Sequence, residues 1–170
     1  LEAWDNEDLE RNGIESMVIM DIGLCIISGE NLNASYSSLR NIPQSFIESG
    51  ALPLSQWDKS LGETPIEIWT AVINDPNLAI VDASIGMDSY TVLGALPLEG
   101  GGLSSGSSFE IRDPNRPLLQ SNLRVAGVLT EDASLLLSGI FVSKSTFSSM
   151  IESSTNMVWI EVSDDVIMED

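Results

Sequence analysis

Between Asn74 and Ile151 the chain consists of short apolar runs cut by turn residues: NDPNLAIVDASIG, a glycine-rich loop, FEIRDPNRP, LRVAGVL and GIFVSKSTFSSMI. Short apolar runs bounded by Gly, Pro, Asn and Asp read as strands, since a helix needs a longer stretch to present an apolar face. The predicted order is a strand at Leu78–Val81, a hairpin turning at Asp113-Pro114-Asn115-Arg116-Pro117, and strands at Leu123–Leu129 and Gly139–Ser143. A short helix carrying Phe147, Met150 and Ile151 follows, with Ser145 as its cap. Asp-Pro-Asn is turn chemistry, because proline presets its own φ and the Asx side chains bond nearby backbone.

The flanks are mixed. Residues 1–13 are polar and acidic. From Ile14 to Ser28 the chain is strand-like, with a kink or turn expected near Asp21–Gly23, and Gly29–Ser38 reads as a polar loop. Ile42–Ser49 reads as a short helix with Pro43 in its first turn and Gly50 at its stop. The sharpest local signal is Thr64-Pro65-Ile66-Glu67, a capping box with proline at the first helical position. Ile66, Trp69 and Ile73 follow at helical spacing, and Asn74-Asp75-Pro76 ends the helix. Val158–Val162 is the last predicted strand, and Asp164 is read as the start of a further helix. The expected fold class is α+β: a mixed α/β core built from both ends of the chain, 1–78 and 146–170, with an inserted β-rich subdomain at 79–145.

Composition bounds the function. At 170 residues with 43% apolar and 19% charged, the chain supports a core that buries roughly 70% of the unfolded surface. Acidic residues number 26 against 7 basic ones, a net charge of −19. Such a field repels phosphate backbones and anionic lipid, so nucleic acid is not an expected partner. Serines such as Ser104, Ser105, Ser148 and Ser149 add polarity without basic charge. A face of this kind suits exposure outside a cell, as it does an acidic cytosolic protein. The longest apolar run, MVIMDIGLCII, is interrupted by Asp21 and Gly23, whereas a membrane span needs about 20 apolar residues. Leu1–Asp8 carries acids where a signal peptide has a basic start, and the chain is expected to be a piece of something longer.

Catalytic chemistry finds few residues. There is no histidine, and Cys25 is alone inside IGLCII, where it is expected to act as a small buried hydrophobe. Ser143 or Ser145 beside Lys144 would suit a serine–lysine mechanism, but neighbours on a strand point to opposite faces. LEGGGLSSGSS lacks the lysine of a phosphate cradle and precedes a strand instead of a helix. Asp164-Asp165 and Glu169-Asp170 lack the loop spacing of a calcium site and read as a solvated acidic face. No catalytic residue, cofactor or metal is expected. Asn33-Ala34-Ser35 is a glycosylation acceptor pattern. Among the tryptophans, Trp69 is expected in the core, while Trp4, Trp57 and Trp159 are candidates for lining a site.

The order of Glu67-Ile68-Trp69, Asp75-Pro76-Asn77-Leu78-Ala79-Ile80-Val81-Asp82, Val125-Ala126-Gly127-Val128-Leu129 and Gly139-Ile140-Phe141-Val142-Ser143-Lys144 resembles the extracytoplasmic, MacB-like periplasmic core domain of FtsX-like ABC transporter permeases. The resemblance covers about half the chain. It implies a non-catalytic domain on the extracytoplasmic face of the cell membrane that couples ATP-driven membrane-helix motion to events outside. The implied partners are transmembrane helices of its own full-length chain, a cytoplasmic ABC ATPase subunit and an extracytoplasmic partner protein. The isolated domain is expected to be monomeric, with Leu1 and Asp170 on one side of the molecule. The alternative is a cell-surface or secreted ligand-binding or adhesion module.

Overall fold

The computed structural model describes residues 14–30, 32–85, 102–152 and 154–162, with 14–17 and 159–162 described through their backbone. In chain order the elements are β1 (Ile14–Gly29), β2 (Leu32–Asn41), α1 (Gln44–Glu48), β3 (Leu54–Trp57), α2 (Pro65–Asn74) and β4 (Leu78–Val81). They continue with β5 (Ser108–Arg112), β6 (Gln120–Leu129), α3 (Glu131–Leu136), β7 (Ile140–Val142), α4 (Lys144–Met150) and β8 (Thr155–Val162). The fold is α+β, as expected.

Six strands close into a small barrel. β2 pairs with β7, β7 with β4, β4 with β6, β6 with β5, β5 with β1, and β1 returns to β2. The β2–β7 and β4–β6 pairs are parallel and the others antiparallel. β3 adds to the far end of β6, and β8 to the first half of β1. The strands of 79–145 thus share one sheet with β1, β2 and β3.

Period-two alternation divides the apolar residues of the wall strands between two cores. In β4, Leu78 and Ile80 face a cluster under α1 and α2, while Ala79 and Val81 face the barrel interior. In β7, Phe141 faces the helices, and Ile140 and Val142 face the interior. Every residue of LAIV and IFV is buried, which explains why these runs are continuously apolar. The interior also receives Cys25, Ile27, Phe109, Ile111 and Leu123.

β1 is one strand of 16 residues, not a kinked pair. The breaks read at Asp21 and Gly23 mark a change of partners: Ile22 opposes Thr155 of β8 and Arg40 of β2. Asp21 is tied across this junction, its N–H donating to Asn41 Oδ1 at 2.8 Å and its Oδ2 accepting from Asn41 Nδ2 at 3.0 Å. A Cβ at Gly23 would stand 2.7 Å from the Ile151 side chain, so glycine permits that approach. β2 likewise replaces much of the predicted loop. Its outer residues 33–36 are exposed, and hairpin pairing with β1, Ile27 opposite Ser35 and Ile26 opposite Tyr36, holds them extended.

The capping box of α2 forms as predicted: Glu67 N–H donates to Thr64 Oγ1, and Thr64 N–H to Glu67 Oε2. The buried face differs from the predicted one. It comprises Ile68, Trp69 and Val72, while Ile66 is 47% exposed. Helical spacing allowed both stripes, and contact with β4 and β6 selects the second. Trp69 is fully buried, edge-on to Phe46 and Phe141, and its Nε1–H donates to the Leu52 carbonyl at 2.9 Å. α4 is capped by Ser143, not Ser145, because Ser143 is the last extended residue before the helix. Trp69→Ala is expected to cost about 3–5 kcal/mol in urea unfolding. Ile66→Ala should stay within about 0.5 kcal/mol.

Candidate functional site

Two depressions flank the exposed half of β2. β2 meets β7 only at Leu39–Asn41, and β7 meets β4 only at Ile80 and Val81. Beyond these pairs a seam opens in the barrel wall as a polar groove of about 290 Å³, lined by Ser35, Tyr36, Ser37, Asp82, Ser84 and Gly139 among others. On the outer face lies a second hollow of about 510 Å³, lined by Leu24, Tyr36, Pro114, Ile151, Asp113 and Glu152 among others. Tyr36, 68% exposed, borders both.

A buried polar junction holds the closed end of the seam. Asp82 is buried, and its Oδ1 accepts from Ser84 N–H at 2.7 Å while its Oδ2 accepts from Gly139 N–H. Asp82 N–H in turn donates to the Gly139 carbonyl at 3.0 Å. Arg40, also buried, donates from Nε to the Ser138 carbonyl at 2.7 Å. Burial pulls its guanidinium below the ordinary value, and the Asp82 carboxylate opposes that pull. Gly139 has φ +118°, and a Cβ there would lie 2.6 Å from the Ser38 carbonyl oxygen. In the outer hollow Arg116 donates to Asp113 at 2.6 Å and lies 3.6 Å from Glu152. The Arg116 hydrogen bond, with the Asn115 N–H, holds the Asp113 carboxyl below the usual carboxylate range.

The residues considered for chemistry lie apart. Cys25 is buried inside the barrel, and burial pushes its thiol up to about 12. Ser143 is buried and its hydroxyl accepts from Thr146 N–H as the helix cap, while Lys144 is exposed. Among the described residues no group of three or more Cys, Asp or Glu is placed to hold a metal. Asn33, Ala34 and Ser35 are exposed on β2. Trp57 packs at the margin of the helix-side core. Trp4, Asp164-Asp165, Glu169-Asp170 and both chain ends lie outside the described residues, as does the Trp159 side chain. No described helix is long and apolar enough to cross a membrane. Sequence reading missed the seam, since nothing in ASYSS or VDAS announces that the strands diverge.

The ends of the described fold meet. Ile14–Ile22 of β1 and Thr155–Val162 of β8 form an antiparallel ribbon in which Ile14 opposes Val162. At strand rise the ribbon is about 27 Å long.

No protein-family model matches the sequence, and no curated protein matches it. The fold is similar to that of the extracellular domain of the noncanonic ABC-type transporter YknZ from Gram-positive bacteria. The TM-score is 0.54, with 13% identity over 95% of this chain and 74% of that one. The two share a fold. A domain assigned as a permease protein from Porphyromonas gingivalis gives a TM-score of 0.48, with 11% identity over 94% of this chain and 61% of that one. The fold assignment rests on the first of these.

Keeping the Cys25 thiol neutral contributes stability that is complete below its ordinary value of 9.0 and is lost as pH rises toward 12. A thiol reagent at neutral pH is therefore expected to leave the native chain unmodified and to label it in denaturant. Gly139→Ala should lower stability by more than about 1 kcal/mol, read as a reduced urea midpoint, since it meets both an unfavourable φ and the Ser38 carbonyl.

Proposed function

We propose that this chain is a non-catalytic extracytoplasmic domain of an ABC transporter permease of the FtsX-like, MacB-like kind. In this reading it passes ATP-driven movement of membrane helices to a substrate or partner outside the membrane. The observation that carries the reading is the ribbon. With Ile14 opposite Val162, the described fold begins and ends side by side, which suits a domain inserted between adjacent membrane helices. The shared fold with a transporter's extracellular domain supports it.

The mechanical role follows from how the ribbon is rooted. β1 continues without a break from the ribbon into the barrel wall, so a displacement applied near Ile14 reaches Cys25 and Ile27 along one strand. Asp21 and Asn41 clamp the crossing to β2. The partners of this reading are the chain's own transmembrane helices, a cytoplasmic ABC ATPase and an extracytoplasmic protein.

The test is made in cells with the full-length chain carrying Ser148→Cys, an exposed position, against the buried Cys25 background. A membrane-impermeant maleimide is expected to label intact cells, with the label recovered in the membrane fraction together with an ABC ATPase. Label appearing only after permeabilisation would overturn the reading. Label in the medium on a chain without apolar segments of about 20 residues would favour a secreted binding module.

A further inference from the structure

Asn33-Ala34-Ser35 is the one triplet of this sequence in which an asparagine is followed, two residues on, by serine or threonine with no proline between. The fold gives it a particular setting. From Ile27 opposite Ser35 to Gly29 opposite Leu32, β1 advances by two residues and β2 by three, so Asn33 and Ala34 together oppose Ser28. This is the two-against-one count of a β-bulge, in which the extra residue drops out of the ladder and the strand bends. Asn33, Ala34 and Ser35 are all exposed. The triplet thus sits on the outer part of a hairpin, at the point where its ladder is interrupted.

We propose that Asn33 is the acceptor of an N-linked glycan. The donor is an oligosaccharide held on a polyprenyl diphosphate. The carboxamide nitrogen of Asn33 attacks the anomeric carbon, and the bond from that carbon to the phosphate oxygen breaks. The lipid diphosphate leaves with the electron pair, and the displaced amide proton passes to the transferase that brings the two together. The Ser35 hydroxyl completes the triplet that such a transferase recognises. A transferase must draw its acceptor away from neighbouring strands, and a ladder already broken at a bulge has fewer hydrogen bonds to give up than a regular one. The inference rests on the extracytoplasmic reading above, since the transfer takes place outside the cytoplasm. The position agrees with that reading. Ser28, which Asn33 opposes, lies fourteen steps along β1 from Ile14, about 48 Å at strand rise. A glycan there is remote from the ribbon end that the transporter reading turns toward the membrane.

The test takes the full-length chain, carrying Ser148→Cys, from the membranes of the cells that make it naturally. The tryptic peptide 12–40 is read by mass spectrometry with fragmentation that keeps side-chain adducts in place. The mass of an oligosaccharide is expected on Asn33. Asn33→Gln and Ser35→Ala should each abolish the added mass and Ser35→Thr should retain it, all at an unchanged urea midpoint because the positions are exposed. Should a variant fold poorly, the peptide from the chain with Asn33 and Ser35 intact still decides the matter. The impermeant maleimide reports in the same preparation on which side of the membrane the domain lies. A bare Asn33 on a chain labelled from outside would overturn this proposal and leave the transporter reading standing. A bare Asn33 on a chain labelled only after permeabilisation would end both. Added mass that survives Asn33→Gln, or that sits on a serine of the same peptide, would also count decisively against Asn33 as the acceptor.

Discussion

Burial of β4, β6 and β7 on both faces is the constraint on which the other elements rest. β4 and β7 send alternate residues to the barrel interior and to the cluster beneath α1 and α2, and β6 supplies both, Val125 and Val128 to the first and Ala126 and Leu129 to the second. Neither cluster can form without the wall they share, so local changes in that wall are felt in both. The Phe46, Trp69 and Phe141 rings show the coupling in miniature. A residue from each of two helices meets one from β7, whose chain neighbours Ile140 and Val142 fill the opposite core.

The wall is complete only where partners exist. β7 is three residues long and pairs with β2 only at Leu39–Asn41, and among the described residues no strand continues that pairing along 33–37. The buried Asp82, Arg40 and Gly139 junction closes the intact end, where unpaired backbone groups would otherwise be buried at a cost. At that same end, where Ile22 opposes Arg40, the long β1 leaves the barrel to pair with β8. The seam and the ribbon are thus two consequences of strands of unequal length in one sheet.

Much of the fold was legible. The apolar runs at Leu78–Val81, Leu123–Leu129 and Ile140–Val142 became strands, and the capping box at Thr64 became the start of α2. The two short elements β3 and α3 were not foreseen, although Thr130 followed by Glu131 and Asp132 carries an N-terminal helix signal. β2 was read as a loop because its outer residues are polar and its stability comes from β1, some ten residues away in sequence. The stripe on α2 was ambiguous by spacing alone. The candidate site was almost invisible, since its walls come from β2, the segment after β4, and the Asp113 turn.

The sequence by itself determined what short-range chemistry determines: which runs are buried strands, where α2 begins, that the surface is acidic, and that no histidine is available for catalysis. Only the tertiary structure decided that β1 changes partners at Ile22, that exposed residues 33–36 are strand, and that a polar groove lies beside Tyr36. The physical reason is range. Caps and alternation act over a few residues of one segment, whereas strand partners are chosen by contacts between distant segments whose lengths must match.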